Sequence, residues 1–111
     1  MVIRKAQMAA FEAYTLKAFQ DRMVAHLRPF APYPEQQLRA IVVAGIEEAS
    51  GFKIRSEQEV ERYLECLVQY GAGFSTLHWA GPILRDSASS ESDKMDRIQW
   101  HVLHRPGAHN G

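Results

Sequence analysis

Ser56-Glu57-Gln58-Glu59-Val60-Glu61-Arg62-Tyr63-Leu64-Glu65-Cys66-Leu67-Val68-Gln69-Tyr70-Gly71-Ala72-Gly73 is a helix with both of its ends written into the sequence. Ser56 and Glu59 have the spacing of a capping box, in which hydroxyl and carboxylate each accept a backbone N–H that the first helical turn leaves unpaired. Val60, Tyr63, Leu64, Leu67 and Val68 follow at three- and four-residue intervals and so share one face, which the fold must bury. Glu57, Glu59, Glu61 and Glu65 fall on the other side, a solvated face. Gly71-Ala72-Gly73 supplies the stop.

The same period extends in both directions. From about Lys5 to Arg28, Met8, Phe11, Phe19, Met23 and Leu27 form the apolar stripe of one long amphipathic helix. It ends where Pro29 disfavours helical geometry at Arg28. The linker Pro29-Phe30-Ala31-Pro32-Tyr33-Pro34 follows, and Pro34 suits the first turn of the next helix. That helix runs to about Ala49 with Leu38, Ile41, Val42, Gly45, Ile46 and Ala49 on one stripe. Ser50-Gly51 is read as its stop, because glycine takes the left-handed conformation without steric cost. Beyond Gly73 a short helix is expected around Leu77 to Arg85, tightened or kinked by Gly81-Pro82 in its middle. After the polar loop Ser87 to Ser92, a last helix over Asp93 to Leu103 places Met95, Ile98, Val102 and Leu103 inward. No period-two strand pattern lasts beyond about four residues. The fold class expected is all-α, a single small bundle of four to five helices, with residues 1–105 as one helical domain and 106–111 as a flexible tail.

At 111 residues the chain is long enough for one modest core and too short for two domains. Thirteen Lys and Arg balance thirteen Asp and Glu, and 46% of the residues are hydrophobic, a globular composition with no electrostatic bias toward nucleic acid. Residues 1–33 nevertheless hold five basic and two acidic groups, and 34–74 hold four and seven. Matching charge of this kind is most simply satisfied inside the fold. No apolar run reaches the 7 to 15 residues of a signal peptide or the ~20 of a membrane span, so no membrane association is expected. Cys66, a single cysteine, cannot form an intrachain disulfide, which favours a cytoplasmic setting.

No pattern in the chain spells out a reaction, and neither an enzyme nor a cofactor is expected. His101 and His104 stand three apart on the last helix and, with His109, could hold a metal, but HExxH and CxxC patterns are absent from the sequence. Two surface histidines near a helix C-terminus, where the dipole favours positive charge, account for the spacing more simply. Cys66, between Leu64 and Leu67, reads as a half-buried structural thiol. DNA binding through the third and fourth helices is disfavoured by the acidity of the third. The aromatic residues are the most informative remaining feature. Phe30, Tyr33 and Trp79 lie in or beside Pro- or Gly-containing connections and are the candidate partner-binding residues, together with the basic Arg22 and Arg28 leading up to them.

Read as an ordered series, several blocks carry a resemblance. They are Ile3-Arg4-Lys5-Ala6-Gln7-Met8, Phe19-Gln20-Asp21-Arg22-Met23-Val24-Ala25-His26-Leu27, Gly45-Ile46 with Gly51-Phe52, Glu59-Val60-Glu61-Arg62-Tyr63, Tyr70-Gly71-Ala72-Gly73-Phe74, and Trp79 with Ile83-Leu84-Arg85-Asp86. Together, over residues 3–97, they resemble small bacterial proteins encoded beside type VI secretion effectors. That resemblance implies an accessory role, a co-chaperone or adaptor that assists an effector or its dedicated chaperone, with a larger bacterial protein as partner and no catalytic residues. An immunity protein neutralising a cognate toxin is the alternative that the same gene neighbourhood implies. The chain departs from the pattern after Phe74, where Ser75-Thr76-Leu77-His78 stands in place of an acidic Asp-Thr-Asp-Pro-like segment.

Overall fold

The computed structural model describes residues 16–104, and among them the fold is all-α, with five helices and no strand. The helices are α1 (helical over 16–27), α2 (Glu35–Gly51), α3 (Glu57–Tyr70), α4 (Gly81–Leu84) and α5 (Glu91–His104), with 3-10 turns at Arg28–Phe30 and Phe74–Thr76. The N-terminal part of the first expected helix, with Met8 and Phe11, and the expected tail 106–111 lie outside the described residues. The chain divides into two compact units, Met1–Val43 and Ala44–Gly111, and the division falls within α2.

In the first unit, Phe19, Met23 and Leu27 recur every four residues and are buried, as are Leu38 and Val42 of α2. Pro29 ends α1 as its geometry requires, and the chain tightens into the 3-10 turn, whose closing bond runs from the Ala31 amide to the Arg28 carbonyl. Pro34 stands one residue before α2 and not within it. Its carbonyl accepts the Leu38 amide at 2.9 Å, while its missing N–H is one that no helix start would have used. Arg39 bonds Asp21 at 2.8 Å and Arg28 bonds Glu35 at 3.0 Å, so much of the basic excess of this segment is met within it.

In the second unit, α3 is central. Val60, Tyr63, Leu64 and Leu67 are buried, as the period requires, with Ala49, Ile54, Phe74, Ile83, Leu84, Met95 and Ile98 completing the core. Gly45 is where the last turns of α2 come close to α3: a Cβ there would lie 2.4 Å from a Leu64 methyl and 2.6 Å from a Leu67 methyl. The Ser56 cap forms, its hydroxyl accepting the Glu59 amide at 3.4 Å, but the second half of the box does not. The Glu59 carboxylate turns to the half-buried Arg62 at 3.0 Å and is itself buried, which corrects its expected place on a solvated face. The Ser56 amide donates instead to Glu91 at 3.0 Å, as does the Arg55 amide at 2.7 Å. A carboxylate at the start of α5 therefore completes the cap of α3.

Three boundaries differ from expectation for identifiable reasons. α2 closes with the Ile54 amide on the Ala49 carbonyl, and Lys53, not Gly51, takes the left-handed conformation at φ 67°. Gly81-Pro82 opens α4 and does not kink it, because a proline in the first turn needs no amide partner. α5 begins at Glu91, two residues earlier than the apolar stripe shows, since the Ser90 hydroxyl caps it by accepting the Asp93 amide at 3.1 Å.

A non-glycine residue in the left-handed region costs roughly 1–2 kcal/mol. Lys53→Gly should therefore raise stability by a sizeable part of that, read as a higher urea midpoint at unchanged slope. Gly45→Leu should lower it by about 2 kcal/mol, because the buried Leu64 and Leu67 have to move aside.

Candidate functional site

The sequence singles out Phe30, Tyr33, Trp79, Arg22 and Arg28, and the structure separates them into two groups. Phe30 is 67% exposed and Tyr33 39% exposed, both on the short connection between α1 and α2. Pro29, Pro32 and Pro34 fix the backbone around them, so they stand out without a surrounding core to hold them. His26, one turn before Phe30 on α1, lies with its ring centre 5.9 Å from that phenyl ring. Arg22 is exposed and its guanidinium lies 5.3 Å from the centre of the Phe19 ring, a cation–π arrangement that holds the charge along α1. Arg28 pairs with Glu35 across the connection and braces it. Hydrogen bonding from Arg39 and the nearby charge of Lys17 hold the Asp21 carboxyl below its ordinary value, so it stays ionised within this network.

Trp79 belongs elsewhere. It is buried, which corrects its expected exposure, and it is one link in a continuous run of rings through the second unit. Tyr63 meets Phe74 edge-on at 5.5 Å, Phe74 and Tyr70 both meet Trp79, at 6.1 and 5.7 Å, and Trp79 stacks on His101 at 5.4 Å. Trp100 then meets His101 edge-on and stacks on His104 at 4.4 Å. The Gly73-containing turn folds Phe74 back into the core and carries the chain to Trp79; proximity to a turn signalled exposure, whereas the turn's role is to return the ring inward.

The surface-exposed aromatic that sequence reasoning placed no weight on is Trp100. It is 57% exposed, and Leu103, expected to point inward, is 63% exposed. Met95 and Ile98 already fill the α3-facing side of α5, and Leu103 is rotated past it. Between α3 and α5 lies a hollow of about 230 Å³, with Met95, Ile98, Val102 and Leu103 on one side and Arg62, Glu65, Cys66 and Gln69 on the other. Arg62 bonds both Glu59 and Asp96 at 3.0 Å and reaches Gln99, closing one end of the hollow. Burial pushes the half-buried Cys66 thiol up to about 12, so it stays protonated and unreactive at neutral pH.

His101 lies against both Trp79 and Trp100 and His104 against Trp100, with His104 Nδ1 2.8 Å from the Trp100 carbonyl. His109 lies outside the described residues. Of the described helices, none is long and apolar enough to cross a membrane. No protein-family model, curated protein or solved structure matches the chain.

The two kinds of tryptophan are distinguishable by stability. Trp79→Ala should cost about 3 kcal/mol or more in chemical denaturation, as for other core aromatics, whereas Trp100→Ala should stay within about 0.5 kcal/mol of the parent. A second expectation concerns acid. The Ser56 amide and then the Arg55 amide hold the Glu91 carboxyl below its ordinary 4.5. A lowered folded-state value contributes stability above that ordinary value, and the contribution is lost as pH falls through the folded one. Glu91→Gln should thus be less stable than the parent at pH 7, with the gap closing as the buffer is taken below 4.5.

Proposed function

We infer that this chain is a non-enzymatic protein-binding accessory factor, a co-chaperone or adaptor acting on a type VI secretion effector or on that effector's dedicated chaperone. The observation that carries the binding role is Phe30. Burying a phenylalanine contributes roughly 1.5–3 kcal/mol, and here the ring is held two-thirds in solvent on a connection stiffened by proline. Stiffness matters because ordering a flexible segment opposes association; a ring already fixed in place loses less on binding. Arg28, paired with Glu35, braces the connection, Arg22 stands exposed on α1, and Tyr33 adds a second ring with a polar tip suited to an interface rim.

The secretion context is supported by the ordered blocks between Ile3 and Asp86, which resemble small proteins encoded beside such effectors. Co-expression with the products of the adjacent genes, followed by co-purification, is the decisive experiment. Recovery of an effector or its chaperone supports the adaptor role. Recovery of a toxin, with loss of toxicity, replaces it by an immunity role. In the recovered complex, Phe30→Ala with Tyr33→Ala should weaken affinity by at least about 2 kcal/mol, the range of aromatic hot spots, while the helical CD signal and thermal midpoint are kept. A fall of many degrees in midpoint with unchanged affinity would assign the two rings to stability instead.

A further inference from the structure

The connection between α1 and α2 has a backbone as distinctive as its rings. Pro29, Pro32 and Pro34 carry no N–H, and the Ala31 amide is spent on the Arg28 carbonyl at 3.4 Å. Tyr33 is therefore the one residue from Ala31 to Pro34 with an amide to offer. Acceptors are plentiful. Pro29, Phe30, Pro32 and Tyr33 are all exposed, and their carbonyls take no hydrogen bond from any described residue. The next carbonyl, that of Pro34, is already taken by the Leu38 amide at 2.9 Å. Charge is settled locally, since Arg28 and Glu35 at the two ends of the connection pair with each other at 3.0 Å. What is left is an uncharged strip of carbonyl oxygens set between pyrrolidine rings and two aromatic rings, with Phe30 67% and Tyr33 39% exposed.

We propose that this strip docks in a groove of the partner protein lined by aromatic side chains that carry N–H or O–H donors, tryptophan foremost. The proposal rests on the protein-binding reading above and names the chemistry on the partner's side. Hydrogen-bond complementarity selects the occupant. An added β-strand does not fit, because ladder pairing needs N–H as well as C=O from the segment, and three of the six residues 29–34 are proline. A charged surface finds no unpaired charge on the connection itself to answer it. Indole meets both needs: its face packs against proline and phenylalanine rings, and its N–H is a donor that brings no acceptor of its own to be left unpaired. Aromatic-lined grooves take proline-rich segments on this basis, and the fixed φ angles of the three prolines lower the ordering cost.

The test titrates the full isotope-labelled chain with indole and, separately, with N-methylindole, which keeps the ring and loses the donor. Indole should shift the resonances of residues 29–34, carbonyl carbons included, and saturate in the millimolar range. N-methylindole is the more apolar probe, yet it should bind there more weakly by about threefold or more, the worth of one hydrogen bond. Phe30→Ala should abolish the shifts at unchanged CD signal, and Trp100→Ala should leave them as they are. The proposal is overturned by shifts that spread over the exposed aromatic residues without centring on 29–34, by N-methylindole binding as well as indole, or by shifts that survive Phe30→Ala. Failure here is distinguishable from failure of the protein-binding reading. A partner that co-purifies and loses affinity with Phe30→Ala and Tyr33→Ala, while indole shows no preference over N-methylindole, overturns the groove chemistry alone.

Discussion

The second unit depends on how the phenol of Tyr63 is satisfied. Its side chain has no exposed surface, and a buried hydroxyl left without a partner costs about 1–3 kcal/mol, so an acceptor must be supplied from within the fold. Glu48 supplies it, its carboxylate accepting the Tyr63 hydroxyl at 2.5 Å and the Ser75 hydroxyl at 3.4 Å. Burial, and then the hydrogen bond to this carboxylate, push the phenol far above its ordinary value, so it remains a donor at any pH the protein meets. One side chain thus ties the end of α2 to α3 and to the 3-10 turn that follows it. The ring itself sets the position of Phe74, and through Phe74 that of Trp79 and α5. Gly45 makes the arrangement possible, because only a residue without a Cβ lets α2 come near enough to Leu64 and Leu67 for Glu48 to reach its partners.

α5 is fixed at its start by charge and along its length by rings. Glu91 caps α3 while Lys94, buried one turn later, donates to the Phe52 carbonyl at 2.7 Å. Arg97 reaches back to Asp86 at 3.0 Å, and Asp86 in turn holds the Ala88 amide and the Ser89 hydroxyl. These contacts are confined to the first two turns. Beyond Ile98 the helix is held by the stacking of His101 on Trp79 and by the bond from Arg62 to Gln99, which is why Trp100 and Leu103 can remain in solvent without loosening the core.

What the sequence made legible follows from the range of each interaction. The inward face of α3, the end of α1 at Pro29 and the Ser56 cap are set by residues within a few positions of one another, and all three were readable. Glu91 as the second half of that cap was not, since it lies 35 residues from Ser56 and no local pattern connects them. Lys53 taking the left-handed turn beside an available Gly51 is likewise a tertiary outcome: the closing bond goes from Ile54 to Ala49, and Ile54 is wholly buried, so its placement decides which residue reverses the chain. For the candidate site, the prolines around Phe30 and Tyr33 signalled rings on a stiff connection, and both are exposed. The same reasoning placed Trp79 outside and Leu103 inward, and did not single out Trp100. Helical period shows which residues share a face, but how much of a face is covered depends on the width of the neighbouring element. Met95 and Ile98 already fill the contact with α3.

Exposed aromatic and aliphatic side chains are not in themselves informative, because apolar atoms contribute more than half of any protein surface. Their setting separates the ones here from that background. Phe30 sits on backbone that proline has already ordered; Trp100 and Leu103 sit beside the recess between α3 and α5. The chain has thus left its unburied rings in two different settings, one on proline-ordered backbone and one on a helix face.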